Sequence, residues 1–254
     1  MARYSERFWQ KPQFKHYLEF AAIWSIYAVM TRMSVNTASN LLGKIGRAIG
    51  PRLWLSDRVR ENILHVWPDM PKDQIEKIVV GVWDNFSRVS NDYWSLDKIR
   101  DDRENRIEIV GAEHLDTLRN SGKSGILFAG HIGNWEMVTL AARMHDLPLT
   151  VVYRPFNNPL FDARVRDLQR RSGVELIMKG REGARRITQV LKAAGNTIML
   201  VDVRMNDGIK APFLGVDAMT PSAPAALSLK YNALLVPIRV ERTGPAHFRV
   251  TVEE

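Results

Sequence analysis

From Ile107 onward the chain alternates short apolar runs with helical stretches, and this alternation restricts the fold more than any other feature. Residues 107–110, 126–129, 149–153, 175–178, 197–203 and 234–240 read as strands, and 248–252 as an edge strand. Residues 112–120, 137–144, 159–171, 182–194 and 222–229 read as the helices between them. Parallel strands need a crossover, usually a helix, to reach the next strand. The pattern therefore predicts an α/β fold with a mostly parallel central sheet flanked by helices.

The first hundred residues carry a different pattern. Residues 36–49, 56–67 and 72–94 read as helices, punctuated by Gly50-Pro51, Pro68 and Pro71. In the longest, Ile75, Ile78, Val79, Val82, Trp83, Phe86 and Val89 follow the three-four spacing of one buried stripe. The charged run 97–106 reads as a solvated boundary. At the start, Arg3, Arg7, Lys11, Lys15 and His16 interleave with Tyr4, Phe8, Trp9, Phe14 and Tyr17, a mixture that suits a membrane interface. Eleven uncharged residues follow, 20–30, fewer than the roughly 20 needed to span a bilayer. The expected organisation is a membrane-anchoring segment over 1–35, a helical region packed on the core over 36–100, and an α/β domain over 101–254.

Charge and missing motifs narrow the chemistry. A net charge of +8 suits an anionic partner, whether nucleic acid, a membrane surface, a phosphorylated lipid or an acidic carrier protein. With no cysteine the chain has neither disulfide nor thiolate nucleophile. Gly122-Lys123-Ser124 imitates the end of a phosphate-binding loop, but Thr117 stands where the first glycine belongs, and the segment precedes a strand instead of following one. There is no Gly-x-Ser-x-Gly elbow and no His-Glu-x-x-His pair, so neither an acyl-serine hydrolase nor a metal site is expected.

What remains is a set of polar residues at predicted strand ends. In Gly125-Ile-Leu-Phe-Ala-Gly-His-Ile-Gly-Asn-Trp-Glu136, the glycines place His131 in a turn after a strand, and Asn134 is expected to cap the next helix. On one continuous helix His131 and Glu136 would point roughly 140° apart, so they can meet only if His131 precedes the helix. Arg154 follows the next strand; Asp202 and Arg204 end a further one, with Asp207 just beyond. In a parallel sheet all of these open onto one edge. A histidine between carboxylates, with guanidiniums nearby, suits general-base chemistry on an anionic substrate.

These residues also carry a resemblance. Gly-His-Ile-Gly-Asn-Trp-Glu136 resembles the His-x4-Asp/Glu signature of the glycerolipid acyltransferase superfamily, in the form found in its lipid A late acyltransferase branch. Val-Tyr-Arg-Pro-x-x-Asn158 is similar to that branch's second block. Asp202-Val-Arg204 and the later Phe213-Leu-Gly-Val-Asp-Ala-Met-Thr220 resemble its third block and the segment after it. Many relatives carry Pro-Asp-Gln in the third block, where this chain has Val201-Asp-Val-Arg204.

The resemblance implies transfer of a fatty acyl group from acyl carrier protein or coenzyme A to a hydroxyl of a phosphorylated glycolipid, with a lipid A precursor as the first expectation. A phosphatidylinositol mannoside or other glycolipid, acylated from coenzyme A, is the alternative. A non-catalytic basic nucleic-acid-binding domain is the distant one. No cofactor and no nucleic acid are implied, and the place is the inner membrane with the catalytic domain on the cytoplasmic side.

In this scheme His131 is the base and Glu136 the expected orienting acid, with Asp202 as its rival. Amides at Gly133 and Asn134 would face the oxyanion. Arg154 and Arg204 would meet phosphate, Asn158 and Asp207 would contact substrate, and Trp135, Met137 and Leu140 are candidates for an acyl groove. The helix bearing Arg164, Arg166, Arg170 and Arg171 reads as a solvated face or, if it binds, as a dock for an acidic carrier or lipid headgroups.

Overall fold

The computed structural model describes residues 12–254, so the first part of the basic and aromatic lead-in, up to Lys11, lies outside the described residues. Four helices come first: α1 (Phe14–Met30), α2 (Val35–Ile49), α3 (Leu55–Val66) and α4 (Lys72–Trp94). Ser34 starts α2 by accepting the Thr37 N–H at 3.1 Å, which satisfies one of the free donors of the first turn. Pro51 sits in a short 3-10 turn, Gly50–Arg52, that separates α2 from α3.

The stripe expected on α4 divides in two. Ile75 and Val79 are buried with Ile63 of α3. Ile78, Val82 and Phe86 instead form an exposed row at i, i+4 and i+8, with Phe86 61% exposed. The row lies at the margin of a stripe wider than the α2 and α3 packing covers. Among the described residues no helix is long and apolar enough to cross a membrane. None of the residues of α1 is fully buried, and Phe14, Leu18, Ile26 and Val29 are all more than half exposed.

Two short helices, α5 (Leu96–Asp101) and α6 (Arg103–Arg106), fill the charged run. It is more than a solvated boundary, because Leu96 and Ile99 enter the main core while Arg100 pairs outward with Asp97 and Asp101. The α/β region follows as β1 (Ile107–Val110), α7 (Ala112–Asn120), β2 (Gly125–Ala129), α8 (Glu136–Met144), β3 (Leu149–Tyr153), α9 (Pro159–Arg171), β4 (Glu175–Met178), α10 (Arg181–Lys192) and β5 (Asn196–Leu200). It ends with β6 (Ile209–Phe213), β7 (Val216–Thr220), α11 (Ala223–Tyr231), β8 (Leu234–Gly244) and β9 (His247–Val252).

Seven strands form one sheet in the order β1-β9-β8-β2-β5-β3-β4. Strands β8, β2, β5, β3 and β4 run parallel, while β9 is antiparallel to β8 and carries β1 with it. The expectation of an edge strand at the C-terminal end is corrected. A tight turn at Pro245-Ala246 folds β9 back on the long β8 and leaves β1 at the edge. Successive residues of β2 face opposite sides, as the pleat requires. Leu127 joins the core under α7, α8 and α9, and Ile126 joins the one under α10 and α11. Strands β6 and β7 form a separate two-stranded hairpin, which the strand-helix alternation did not announce.

Candidate active site

Parallel pairing of β2 with β5 places Ala129 opposite Leu200, and the chain continues two residues further on each strand to reach His131 and Asp202. The two side chains meet there. Asp202 Oδ1 lies 2.7 Å from His131 Nδ1, and Asp202 Oδ2 accepts the backbone N–H of His131 at 2.6 Å. One carboxylate thus holds both the ring and the backbone of the same residue. Partial burial pushes the Asp202 carboxyl up, but the ring, the backbone N–H and the charge interaction with His131 outweigh it and hold the group below the usual carboxylate range. An ionised carboxylate only accepts, so Nδ1 carries the hydrogen and Nε2 presents its lone pair. The His131 side chain is 49% exposed, which leaves it open to a substrate.

The expected pairing of His131 with Glu136 is therefore corrected. Glu136 opens α8 and points into the protein, 1% exposed. Its Oε1 accepts Tyr93 Oη–H at 2.8 Å and Gln169 Nε2–H at 2.6 Å. Burial raises its pKa from 4.5 to about 7, against the lowering effect of those two hydrogen bonds. The sign of the consequence is fixed. A carboxyl with a raised folded-state pKa stabilises the fold fully below its unfolded pKa, and this contribution is lost as pH rises through about 7. At about 1.4 kcal/mol per unit this is roughly 3–4 kcal/mol. Glu136→Gln should flatten the fall in stability between pH 4.5 and 8, measured by denaturant unfolding; an unchanged slope contradicts the buried-carboxyl account.

The turn between β2 and α8 is clamped from behind by α4 and β8. Gly133 has φ +60, and a Cβ there would stand 2.3 Å from the Val240 carbonyl oxygen, so only glycine fits so close to β8. Its own carbonyl accepts Asn85 Nδ2–H at 2.9 Å. Asn134 is buried; its Nδ2 donates to Asp92 Oδ2 at 3.0 Å and its Oδ1 accepts the Glu136 N–H at 3.1 Å. Arg242 of β8 closes the cluster, with Nη2 2.6 Å from Asp92 Oδ2 and Nε 3.3 Å from Asn85 Oδ1. Asn85, Asp92 and Tyr93 stand at i, i+7 and i+8 of α4, hence on one face of the helix.

These clamp residues were missed from the sequence. The available signal was the i, i+7, i+8 spacing of Asn85, Asp92 and Tyr93, which sets three hydrogen-bonding side chains on one face of α4.

Other expectations change as well. The N–H groups of Glu136, Met137 and Val138 are taken by Asn134 Oδ1, Asn134 O and Trp135 O, so these three amides of α8 are already paired, while the Gly133 and Asn134 amides lie in the turn before the helix. The side chain of Asn134 is part of the clamp. Asn158 caps α9 through Leu160 N–H and Phe161 N–H and donates to His16 O and Glu19 of α1, which makes it a structural tie. Met137 and Leu140 are in the core, 0% and 1% exposed, and cannot line a groove.

Arg154, Arg204 and Asp207 are exposed, the first after β3 and the others on the segment from β5 to the hairpin. On α9, Asp162 pairs with Arg166, and Asp167 faces Arg164, Arg170 and Arg171, so two carboxylates offset half the charge of that basic cluster. No group of three or more potential metal ligands occurs among the described residues.

A family model described as bacterial lipid A biosynthesis acyltransferase matches residues 9–253. A lipid A biosynthesis acyltransferase of Haemophilus influenzae is 26% identical over 129 residues, 48% of this chain and 39% of that protein. A phosphatidylinositol mannoside acyltransferase of Mycolicibacterium smegmatis is 22% identical over 231 residues, 87% of this chain and 73% of that protein.

Proposed function

The chain belongs to the bacterial lipid A biosynthesis acyltransferase family, and on that premise we propose that it is an O-acyltransferase with His131 as general base. The observation that carries this reading is the His131–Asp202 pair at the carboxyl edge of the sheet. Nε2 takes the proton of an acceptor hydroxyl as its oxygen attacks the thioester carbonyl of the donor. The carboxylate of Asp202 stabilises the imidazolium that forms, and the proton passes to the departing thiolate. With no cysteine and no serine elbow in the chain, the acyl group goes directly from donor to acceptor.

The donor in this reading is a fatty acyl thioester of acyl carrier protein or coenzyme A. The acceptor is a phosphorylated glycolipid, first of all a lipid A precursor. The similarity to a phosphatidylinositol mannoside acyltransferase over 87% of the chain favours a second reading in which the acceptor is a glycolipid of that kind. Exposed Arg154 and Arg204 stand on the segments that leave the catalytic edge and suit a phosphate on either acceptor. Phe14, Leu18, Ile26 and Val29, left exposed on α1, support an interfacial anchor at the cytoplasmic side of the inner membrane.

The test offers each acceptor with each thioester to the purified full chain, followed by mass spectrometry of the lipid. One acceptor should gain the mass of one acyl group. If no combination yields an acylated product, the proposed reaction is wrong.

A further inference from the structure

The β6–β7 hairpin begins seven residues after Asp202, and among the described residues no other strand or helix packs extensively along it. Its register sorts its side chains onto two faces. Ile209, Ala211 and Phe213 pair with Thr220, Ala218 and Val216 on one face, and Lys210 and Pro212 pair with Met219 and Asp217 on the other. The second face carries the hairpin's two charged side chains, which neutralise each other, with Lys210 Nζ 2.8 Å from Asp217 Oδ2. On the first face Ile209 and Phe213 remain 56% and 54% exposed. Ala211, Val216 and Ala218 of that face are half-buried, yet among the described residues none of the hairpin's side chains joins a core cluster.

The turn adds an independent observation. Phe213 pairs with Val216, so the loop is the two residues Leu214-Gly215, with φ +51 and +82. Two positive φ angles make a turn that favours Asn-Gly or Gly-Gly. A bulky leucine in the left-handed region is strained, and this one is 56% exposed as well. Neither the fold nor the turn asks for leucine there. At the other end of the segment Arg204 is exposed, and Val203 beside Asp202 is 49% exposed. An apolar tip with a cation at its base matches a bilayer, whose interior takes the tip and whose anionic headgroups take the guanidinium.

We infer that this hairpin is a lipid-inserting flap, with Phe213 and Leu214 entering the bilayer beside the catalytic edge and Arg204 meeting lipid phosphate. The inference rests on the membrane reading above and deepens it, because it supplies a second contact at the site itself, apart from α1. It places the acceptor's bilayer next to His131 and Asp202, so a lipid hydroxyl need not leave the interface to reach the base.

The chain has no cysteine, so a single introduced thiol can be labelled without ambiguity. Leu214→Cys carries an environment-sensitive fluorophore. Lys123→Cys, exposed just before β2 at the opposite end of that strand, is the control. Both full-length variants are first shown to unfold at the wild-type temperature, then mixed with phosphatidylethanolamine–phosphatidylglycerol vesicles.

The label at 214 should shift to the blue and be quenched by quenchers placed in the acyl region, while the label at 123 stays unchanged. If the protein sediments with the vesicles but the 214 label remains in water, the flap is refuted and the membrane reading stands. If the protein does not sediment with vesicles at all, both fall. A blue shift that grows with protein concentration without vesicles, and is not deepened by them, assigns the face to a second copy and also refutes the flap.

Discussion

His131→Ala is expected to lower acyl transfer by about 10^3-fold while leaving the unfolding temperature unchanged. The loss follows from the bond inventory. The ring nitrogen Nε2 is the one left to accept the hydroxyl proton, because Nδ1 is committed to Asp202. The fold survives because the ring is half exposed and the backbone N–H of residue 131 still donates to Asp202 Oδ2. Rate and unfolding temperature should be measured on the same preparation. Retention of more than a tenth of the rate would end the assignment of His131 as base.

Arg242→Met is the second large effect, and it falls on stability. Asp92 is 0% exposed, and burial pushes its carboxyl up against the pull of Arg242, its nearest cation at 2.6 Å. Removing the guanidinium leaves a carboxyl that is either an isolated buried charge or neutralised by taking up a proton. Breaking such a pair from one side costs about 3–5 kcal/mol. For a domain of this size each kcal/mol lowers the melting temperature by roughly 2–4 °C, so a fall of about 10 °C is expected.

The double variant Asp92→Leu/Arg242→Met should recover much of that loss, because replacing both members of a buried pair by apolar groups is often neutral. Gly133 and Asn134 are held by the same cluster. The recovered double variant should therefore remain slower than wild type, with the deficit in kcat. A double variant as unstable as the single one would show that Asp92–Arg242 is not the seat of the loss.

Much of this was legible in the sequence, and the reasons for the misses are physical. Helix α4 runs from Lys72 to Trp94 as the spacing predicts, with Pro68 and Pro71 as local signals at its start. Strand β2 and the turn after it are equally local, since four apolar residues followed by glycines leave His131 few places to go. The partner of His131 was not local. Glu136 is nearest along the chain, but β5 inserts between β2 and β3 in the sheet, and strand order is a long-range property that no window of residues records.

The same holds for Arg242, whose contacts on α4 are 150 and 157 residues away. The hairpin escaped for another reason. Pro212 interrupts its first strand and Leu214 occupies a turn position where Asn or Gly would announce it. Asn158 and Met137 show the opposite error. Both lie close in sequence to residues at the catalytic edge, and the helices they belong to turn them to structural work.

The account turns on which carboxylate serves His131, and one comparison measures it: the rates of acyl transfer of Asp202→Asn and Glu136→Gln in a single assay, each matched to wild type for unfolding temperature. Asp202→Asn loses the ionised acceptor of Nδ1–H and should fall by about 10^3-fold or more, close to His131→Ala. Glu136→Gln keeps a carbonyl for Tyr93 and Gln169 and should stay within about tenfold of wild type. The reverse order, with Glu136→Gln inactive and Asp202→Asn near wild type, would contradict the dyad.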